Sequence, residues 1–354
     1  MPSHDVASIA IIGAGISGLT CATELAQQSF SVVVFDKARG PGGRMSTRRV
    51  PELGAGVGFD HGAQYFTARS NELLTRVDQW LKAGVVRPWE GRLAALGPEG
   101  VQPSGPETER FVGTPGMNAV CRHLASEIDL RVGVQIEQIM RNARGWTLVD
   151  SEGAHHGPHD FLICSAPAPQ TAKLLEREAP EIATRAAAVR MQPCWAVLAA
   201  FPDALSVPFD GCFINEGPLS WAARSSAKPG RKALPDRWVL HAGPIWSAQH
   251  LEEASAQVAE RLLEAFFQVL ESESRAPAWL TAHRWRYALA DNALDEGFVF
   301  DPRLRVGACG DWANGNRVEG AFLSGLALGR EVALVGSAFN EDLERRKESA
   351  RIER

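Results

Sequence analysis

The sequence predicts a two-domain α/β fold, and three observations carry that prediction. An apolar run at Ser8–Ile12 leads directly into Gly13-Ala14-Gly15-Ile16-Ser17-Gly18. A second apolar run at 32–35 ends in Asp36, 18 positions after Gly18. Far along the chain, a third run at 304–308 ends in Cys309-Gly310-Asp311-Trp312. A glycine-rich turn between strand and helix, with an acid about 20 residues further on, is the fingerprint of a Rossmann-type dinucleotide domain. Its return near the C-terminus means that a second domain of α+β character is interleaved with it.

Each element has its own reason. Ser8–Ile12 is uniformly apolar apart from its serine, as suits a strand buried in a parallel sheet. Gly13 permits the tight turn, Gly15 lets backbone approach a pyrophosphate, and Gly18 allows the following helix, expected over 17–28, to pack on the strand. Phosphates then face the positive end of that helix, next to Ala14 and Ser17. Asp36 can accept from a ribose hydroxyl and disfavours a 2'-phosphate there. The loop Arg39-Gly40-Pro41-Gly42-Gly43-Arg44-Met45 follows, and its two guanidinium groups suit a pyrophosphate.

Beyond Arg69 an amphipathic stretch runs to Ala83, and a Pro/Gly-rich segment occupies 97–106. A helix is expected from Thr114 to about Ser126, then a strand over 130–140. Strands at 145–150 and 160–165 are expected to continue a small meander. Strands follow near 194–201, 211–214, 238–241 and 279–287, with one long helix near 248–269. From Val318 a last helix is expected, with Leu323, Leu326, Ala327 and Leu334 at helical spacing. The expected nucleotide domain comprises 1–69, 110–168 and 291–345. The other domain takes 70–109 and 169–290, and 346–354 forms a tail.

Composition narrows the function. A net charge of -5 over 354 residues gives no electrostatic case for nucleic acid or an anionic membrane. No apolar run is read as a membrane span, and no basic-then-apolar leader opens the chain, so a cytoplasmic protein is expected. Six cysteines lie scattered with no Cys-x-x-Cys pair, so reduced thiols and no zinc site are expected. His155, His156 and His159 read as a solvated turn rather than a metal site.

The Gly-Gly-Arg at 42–44 resembles the flavin-containing amine oxidase superfamily, whose fold resembles that of p-hydroxybenzoate hydroxylase. More specifically, Asp60-His61-Gly62-Ala63-Gln64-Tyr65-Phe66-Thr67-Ala68-Arg69, Pro115-Gly116-Met117, Trp195, His283-Arg284-Trp285 and Gly310-Asp311-Trp312 with Arg317-Val318-Glu319-Gly320-Ala321 closely resemble bacterial renalase-like flavoproteins. The likeness spans about 7 to 335. It implies non-covalently bound FAD, held by Gly13, Ala14, Gly15, Ser17, Gly18, Asp36, Lys37, Arg39, Gly43, Arg44, Met45, Gly62, Ala63, Val134, Asp311, Arg317, Val318, Glu319 and Ala321. Cys309 is the one cysteine placed for a covalent link. It also implies oxidation of 2- or 6-dihydro forms of NAD(P) by hydride transfer to flavin N5, with O2 reduced to hydrogen peroxide.

Such a hydride donor becomes an aromatic pyridinium directly, so no general base is obligatory and ring stacking carries the catalysis. Tyr65, Phe66, Trp195, Trp285 and Tyr287 are the candidate aromatics, and Thr67 adds a hydroxyl. Arg69 and Arg286 are candidates for the substrate's phosphates or ribose, and His283 or Gln64 for its carboxamide. The alternatives are an amine oxidase or desaturase of the same superfamily, or a flavin-binding redox sensor without turnover. An amine oxidase calls for a lysine near flavin N5. Lys37, Lys82, Lys173, Lys228, Lys232 and Lys347 offer no evident candidate, with Lys228 and Lys232 in a Pro/Gly loop.

Overall fold

The computed structural model describes residues 6–97, 100–104, 108–214 and 217–352. The chain forms two compact units, one of Met1–Gly43, Cys121–Arg190 and Ala290–Arg354, the other of Arg44–Val120 and Met191–Leu289.

The first unit is built on a six-stranded sheet in the order Val299–Asp301, Val306–Ala308, Phe161–Cys164, Ser8–Ile12, Ser31–Asp36, Asp129–Val132. Ser8–Ile12 is central and pairs in parallel with both neighbours, Ile11 lying opposite Val34 and Ile163. Only Val299–Asp301 runs antiparallel. The segment Phe161–Cys164, expected in the meander, is therefore an inner strand of the nucleotide sheet, which explains why all four of its residues are buried. The strand expected over 130–140 is two strands. The chain turns at Gly133, with φ +73, so that Asp129–Val132 joins this sheet and Ile136–Asn142 joins a separate antiparallel meander.

That meander's third strand is His155–His159, the segment read from sequence as a turn. His156 Nε2 lies 2.8 Å from Asp150 Oδ2. No cluster of three metal-ligating side chains exists among the described residues.

Two helices pack together here, Ile16–Gln27 and the last helix, Val318–Ile352. Their closeness depends on small residues. A Cβ on Gly325 would collide with the Ser17 carbonyl, and one on Gly329 would come 3.3 Å from the Cys21 carbonyl. The last helix also has a stretch, Val318–Glu341, long and apolar enough to cross a membrane by length and composition, against the expectation that no apolar run approaches that length. Phe322, Leu326, Leu328, Val332 and Ala333 of that stretch are buried in the unit, which accounts for its apolarity.

The second unit carries a seven-stranded sheet in the order Trp279–Ala290, Met191–Phe201, Asp236–Ala242, Leu219–Arg224, Gly211–Ile214, Leu93–Gly97, Gly100–Pro103. The long helix expected near 248–269 is two helices, Pro244–Gln249 and Ser255–Val269. Leu262 and Phe266 of the latter pack with Trp195, Val197, Trp238 and Leu240 in one core. Strand side chains alternate between faces, so Leu198, Ala200, Val239 and His241 point to the opposite face. There Phe59 packs on Leu198, Ala200 and Val239. That contact places 44–69, expected with the nucleotide domain, in the second unit. The short strands Thr47–Arg49 and Gly58–Asp60 pair beneath it.

Candidate active site

In the first unit the turn after Ser8–Ile12 has the geometry of a dinucleotide cradle. Gly13 adopts φ +109 and donates its N–H to the Phe35 carbonyl at 2.8 Å. A Cβ there would lie 2.9 Å from the Ser165 carbonyl oxygen, and one on Gly18 would overlap the Gly13 carbonyl. Gly15 differs. It caps the helix Ile16–Gln27 with no side-chain hydrogen bond, and a Cβ on it would meet nothing within 4 Å. Protein packing gives no reason for that glycine, whereas a phosphate approaching free N–H groups at the helix start gives one.

The glycine loop closes over the same spot. Gly42 donates to the Ala14 carbonyl at 2.9 Å, and exposed Gly43 sits with φ +51 beside Gly15. Asp36 accepts from the N–H groups of Ala14 at 2.6 Å and Ala38 at 2.7 Å, which fixes its carboxylate at the end of the strand. Val134 donates to the Asp36 carbonyl at 3.0 Å, and Lys37 and Arg39 are exposed alongside. These residues fit the adenosine and pyrophosphate of a flavin dinucleotide.

At the same C-terminal edge of the sheet, two strands away, Gly310 donates its N–H to the Ser324 hydroxyl at 3.0 Å, and Asp311 and Glu319 are buried. Gly320 fits closely against the carbonyls of Asn314 and Gly315, so its smallness serves the chain's own turn. Ala321 is buried, whereas Arg317 is exposed and Val318 half-buried. Cys309 is fully buried, and burial pushes its thiol up to about 11. A protonated, packed thiol is a poor nucleophile for covalent attachment.

In the second unit the segment 60–65 is held by a buried charge network. Asp60 is fully buried. Its Oδ1 accepts from Thr47 Oγ1 at 2.7 Å and Met117 N at 2.9 Å, and Oδ2 faces Lys228 Nζ at 3.4 Å and Arg231. Burial alone would raise its pKa, but Lys228, Arg231 and the two hydrogen bonds bring it down to about 2. Lys228 Nζ also donates to Gln64 Oε1 at 3.0 Å, and Gln64 Nε2 donates to the Gly62 carbonyl at 3.1 Å. Gln64, expected at a substrate carboxamide, is thus 5% exposed and engaged at both ends of its amide. Gly62 is required here, because a Cβ would strike the Arg44 carbonyl, to which Ala63 donates at 2.8 Å. Met45 is buried, while the Arg44 guanidinium donates to the Ala288 carbonyl at 3.0 Å.

Lys228 is a residue of this buried network that the sequence does not place there. Its Pro229-Gly230 neighbours indicate a Pro/Gly loop, yet it is 2% exposed. Burial lowers its pKa to about 8, with Asp60 opposing and Arg231 reinforcing the shift.

Beside this network lies a group of rings. Trp285 stacks on His61 with centroids 5.0 Å apart, and His283 meets His61 edge-on at 4.7 Å. The His61 carbonyl accepts from Trp285 Nε1 at 2.8 Å, and His241 Nε2 lies 3.2 Å from it. Tyr287 shares the strand face of His283 and Trp285. Tyr65 lies 5.9 Å from Trp89 and 5.7 Å from Trp221.

The remaining candidates lie elsewhere in the unit. Trp195 is 2% exposed in the helix-covered core, its indole N–H donating to the His250 carbonyl at 3.0 Å. Arg286 alternates away from Trp285 and pairs with Glu252 at 2.7 Å. Phe66 is buried against Trp80 and Phe111. Thr67 is half-buried and Arg69 exposed. His61, Trp89 and Trp221 are not among the sequence-based candidates. The only signal for His61 was its position inside the 60–69 motif.

The three histidines stay neutral near pH 7. Burial, then His283 and Arg48, lower His61 to about 3, and burial lowers His241 to about 4. Burial and Arg48 lower His283 as well. Between pH 6.5 and about 4 the unfolded chain therefore binds protons that the folded chain refuses, so stability is full above 6.5 and is lost as pH falls. We expect the urea midpoint to drop between pH 7 and 5, and His61→Phe to flatten that drop. An unchanged slope in the variant would show that His61 is protonated without penalty.

The comparisons agree with this geometry. A family model described as an NAD(P)-binding Rossmann-like domain matches residues 11–80, and one described as flavin containing amine oxidoreductase matches 90–333. The chain is 27% identical over 214 residues to the tRNA 5-methylaminomethyl-2-thiouridine biosynthesis bifunctional protein MnmC of Magnetococcus marinus, a match covering 50% of this chain and 32% of that protein. It therefore spans about a third of that relative's length. Among solved structures, a protein assigned as a protoporphyrinogen oxidase from Exiguobacterium sp. 255-15 superposes with a TM-score of 0.74 at 12% identity, covering 93% of this chain and 99% of that one. Cyclohexylamine oxidase from Brevibacterium oxydans IH-35A gives 0.71 at 14% identity, covering 96% and 100%. With a dinucleotide cradle at one end of the chain, a matched family model over most of the rest and this fold, the chain belongs to the flavin-containing amine oxidoreductase family.

Proposed function

We propose that this flavin-dependent oxidoreductase uses non-covalently bound FAD to oxidise isomeric dihydronicotinamides, the 2- or 6-dihydro forms of NAD(P). The observation that carries this reading is the neutral ring group of His61, His283 and Trp285, with Tyr287 on the same strand face. A dihydropyridine is flat and uncharged, and it becomes a cation only as hydride leaves. Rings bearing no charge neither repel that cation nor bind the starting material so tightly that the barrier rises. FAD, when bound, supplies the hydride acceptor and passes the electrons to O2, giving hydrogen peroxide. The chain's own residues have the narrower task of holding and orienting the ring and excluding water.

One observation favours an amine substrate, the buried Lys228. Its ammonium is already engaged by Gln64 and Asp60, so it serves the 60–65 segment first. An anaerobic stopped-flow comparison of 2-dihydro-NAD, 6-dihydro-NAD, NADH and a panel of amines tests the choice. Bleaching of the flavin by a 2- or 6-dihydro isomer, at least tenfold faster than by NADH, is the expected result. On admitting oxygen, peroxide should then appear. Bleaching by amines alone would replace this reading with an amine oxidase.

A further inference from the structure

Among the buried N–H donors of the second unit without a hydrogen-bond partner among the described residues, Trp89 Nε1, Trp221 Nε1 and Arg110 Nε belong together. Their side chains converge on one ring. The Tyr65 centroid lies 5.9 Å from Trp89 and 5.7 Å from Trp221, and the Arg110 guanidinium carbon sits 5.3 Å above it. Trp89 and Trp221 are 5% and 7% exposed, so bulk water does not serve them. Phe213, 4.6 Å from Trp221, closes one side.

Indole and guanidinium groups donate and cannot accept. Folded proteins rarely leave such donors unpaired. Three unpaired donors around one tyrosine, with no acceptor among them, describe a place for an oxygen-rich ligand. Its charge follows from the local balance. Asp60 already faces both nearby cations, Lys228 and Arg231. The Arg110 guanidinium hydrogen-bonds only the neutral Thr108 carbonyl and pairs with no carboxylate among the described residues.

We propose that Trp89, Trp221 and Arg110 form a subsite for a phosphate oxygen of the substrate. The identity of the phosphate's carrier rests on the dihydronicotinamide reading above; the subsite itself does not. The guanidinium carbon sits over the Tyr65 ring, one of its terminal nitrogens donates to Thr108, and its Nε is left to donate. The subsite separates nucleotide substrates from amines by affinity and leaves the hydride step alone.

The test uses the holoenzyme and the variants Arg110→Leu, Arg110→Lys, Trp89→Phe and Trp221→Phe, the phenylalanines keeping a ring while removing the N–H. Flavin reduction is followed with the reducing isomer of dihydro-NAD and with the matching dihydronicotinamide riboside, which has no phosphate. We expect Arg110→Leu to weaken the dinucleotide about ten- to hundredfold and each Trp→Phe several-fold, as for lost hydrogen bonds to a charged group. The riboside's affinity and the limiting reduction rate should not move, and Arg110→Lys should recover part of the loss. Equal weakening of riboside and dinucleotide, or weakening of neither, overturns the proposal. A second readout is independent of turnover, namely tryptophan fluorescence of the holoenzyme titrated with inorganic pyrophosphate. Saturable quenching in the wild type that disappears in Arg110→Leu supports the subsite even if no dihydronicotinamide is oxidised. Absence of quenching in the wild type counts against it.

Discussion

Asp60→Asn is expected to destabilise the protein by about 3–5 kcal/mol, the usual cost of removing one partner from a buried ion pair. Lys228 and Arg231 both face Asp60 Oδ2, and all three side chains are nearly or wholly buried. An asparagine keeps the shape and part of the hydrogen bonding to Thr47 and Met117, but it leaves two cations without an anion. Lys228→Met should cost less, because Arg231 still neutralises the carboxylate. Urea unfolding at pH 7 measures both. A loss below about 1 kcal/mol for Asp60→Asn would mean that water enters the site and screens the cations, as at surface pairs.

The same network has a defined pH signature. Asp60 titrates near 2 in the folded chain against 3.8 ordinarily, so its stabilisation is complete above 3.8 and is lost as pH falls toward 2. Lys228 is lowered from 10.5 to about 8, so the folded chain releases that proton first, and this group's contribution to stability rises between pH 8 and 10.5.

Gly15→Val is expected to give a folded, colourless protein, with bound flavin reduced at least a hundredfold. Added side-chain atoms start in open space, since a Cβ at Gly15 meets no atom within 4 Å. They fill the room a pyrophosphate needs at the helix N-terminus. Gly18→Val makes the contrast. Its Cβ overlaps the Gly13 carbonyl, so the strand–turn–helix itself must shift and thermal stability should fall along with flavin content. Absorbance near 450 nm per mole of protein, together with the melting temperature, separates the two outcomes. Full flavin retention in Gly15→Val would remove the cradle from this turn.

How far the site could be read in advance depended on the distance over which each residue acts. The turn Gly13–Gly18 and Asp36 were legible because strand, turn, helix and acid lie within 30 residues and constrain one another locally. The structure supplies the expected pairings, with Gly13 bonded to Phe35 and Asp36 bonded back to Ala14. Lys228 was not legible. Its proline and glycine neighbours describe a loop, and nothing nearby reveals a carboxylate 168 positions away. The partner that engages the Gln64 oxygen comes from that same loop, so its engagement was not legible either.

Trp195 and Trp285 show a second limit. Both sit in apolar strand sequences, and each looked equally suited to a pocket. Alternation along a strand separates two faces, but it does not say which face a helix will cover. The helix Ser255–Val269 covers the face bearing Trp195, and the face bearing His241 receives the 58–65 segment instead. Arg286 and Trp285 are adjacent in sequence and so point apart, one to Glu252 and the other to the His61 carbonyl.

By itself, then, the sequence determined the nucleotide cradle and the family, because local backbone demands write themselves into glycine spacing. Only the tertiary structure decided which aromatics share a face, which ammonium is buried and which N–H groups lack a partner. Those properties belong to pairs of segments far apart in the chain, and burial makes a charge or a donor consequential only when its partner is known.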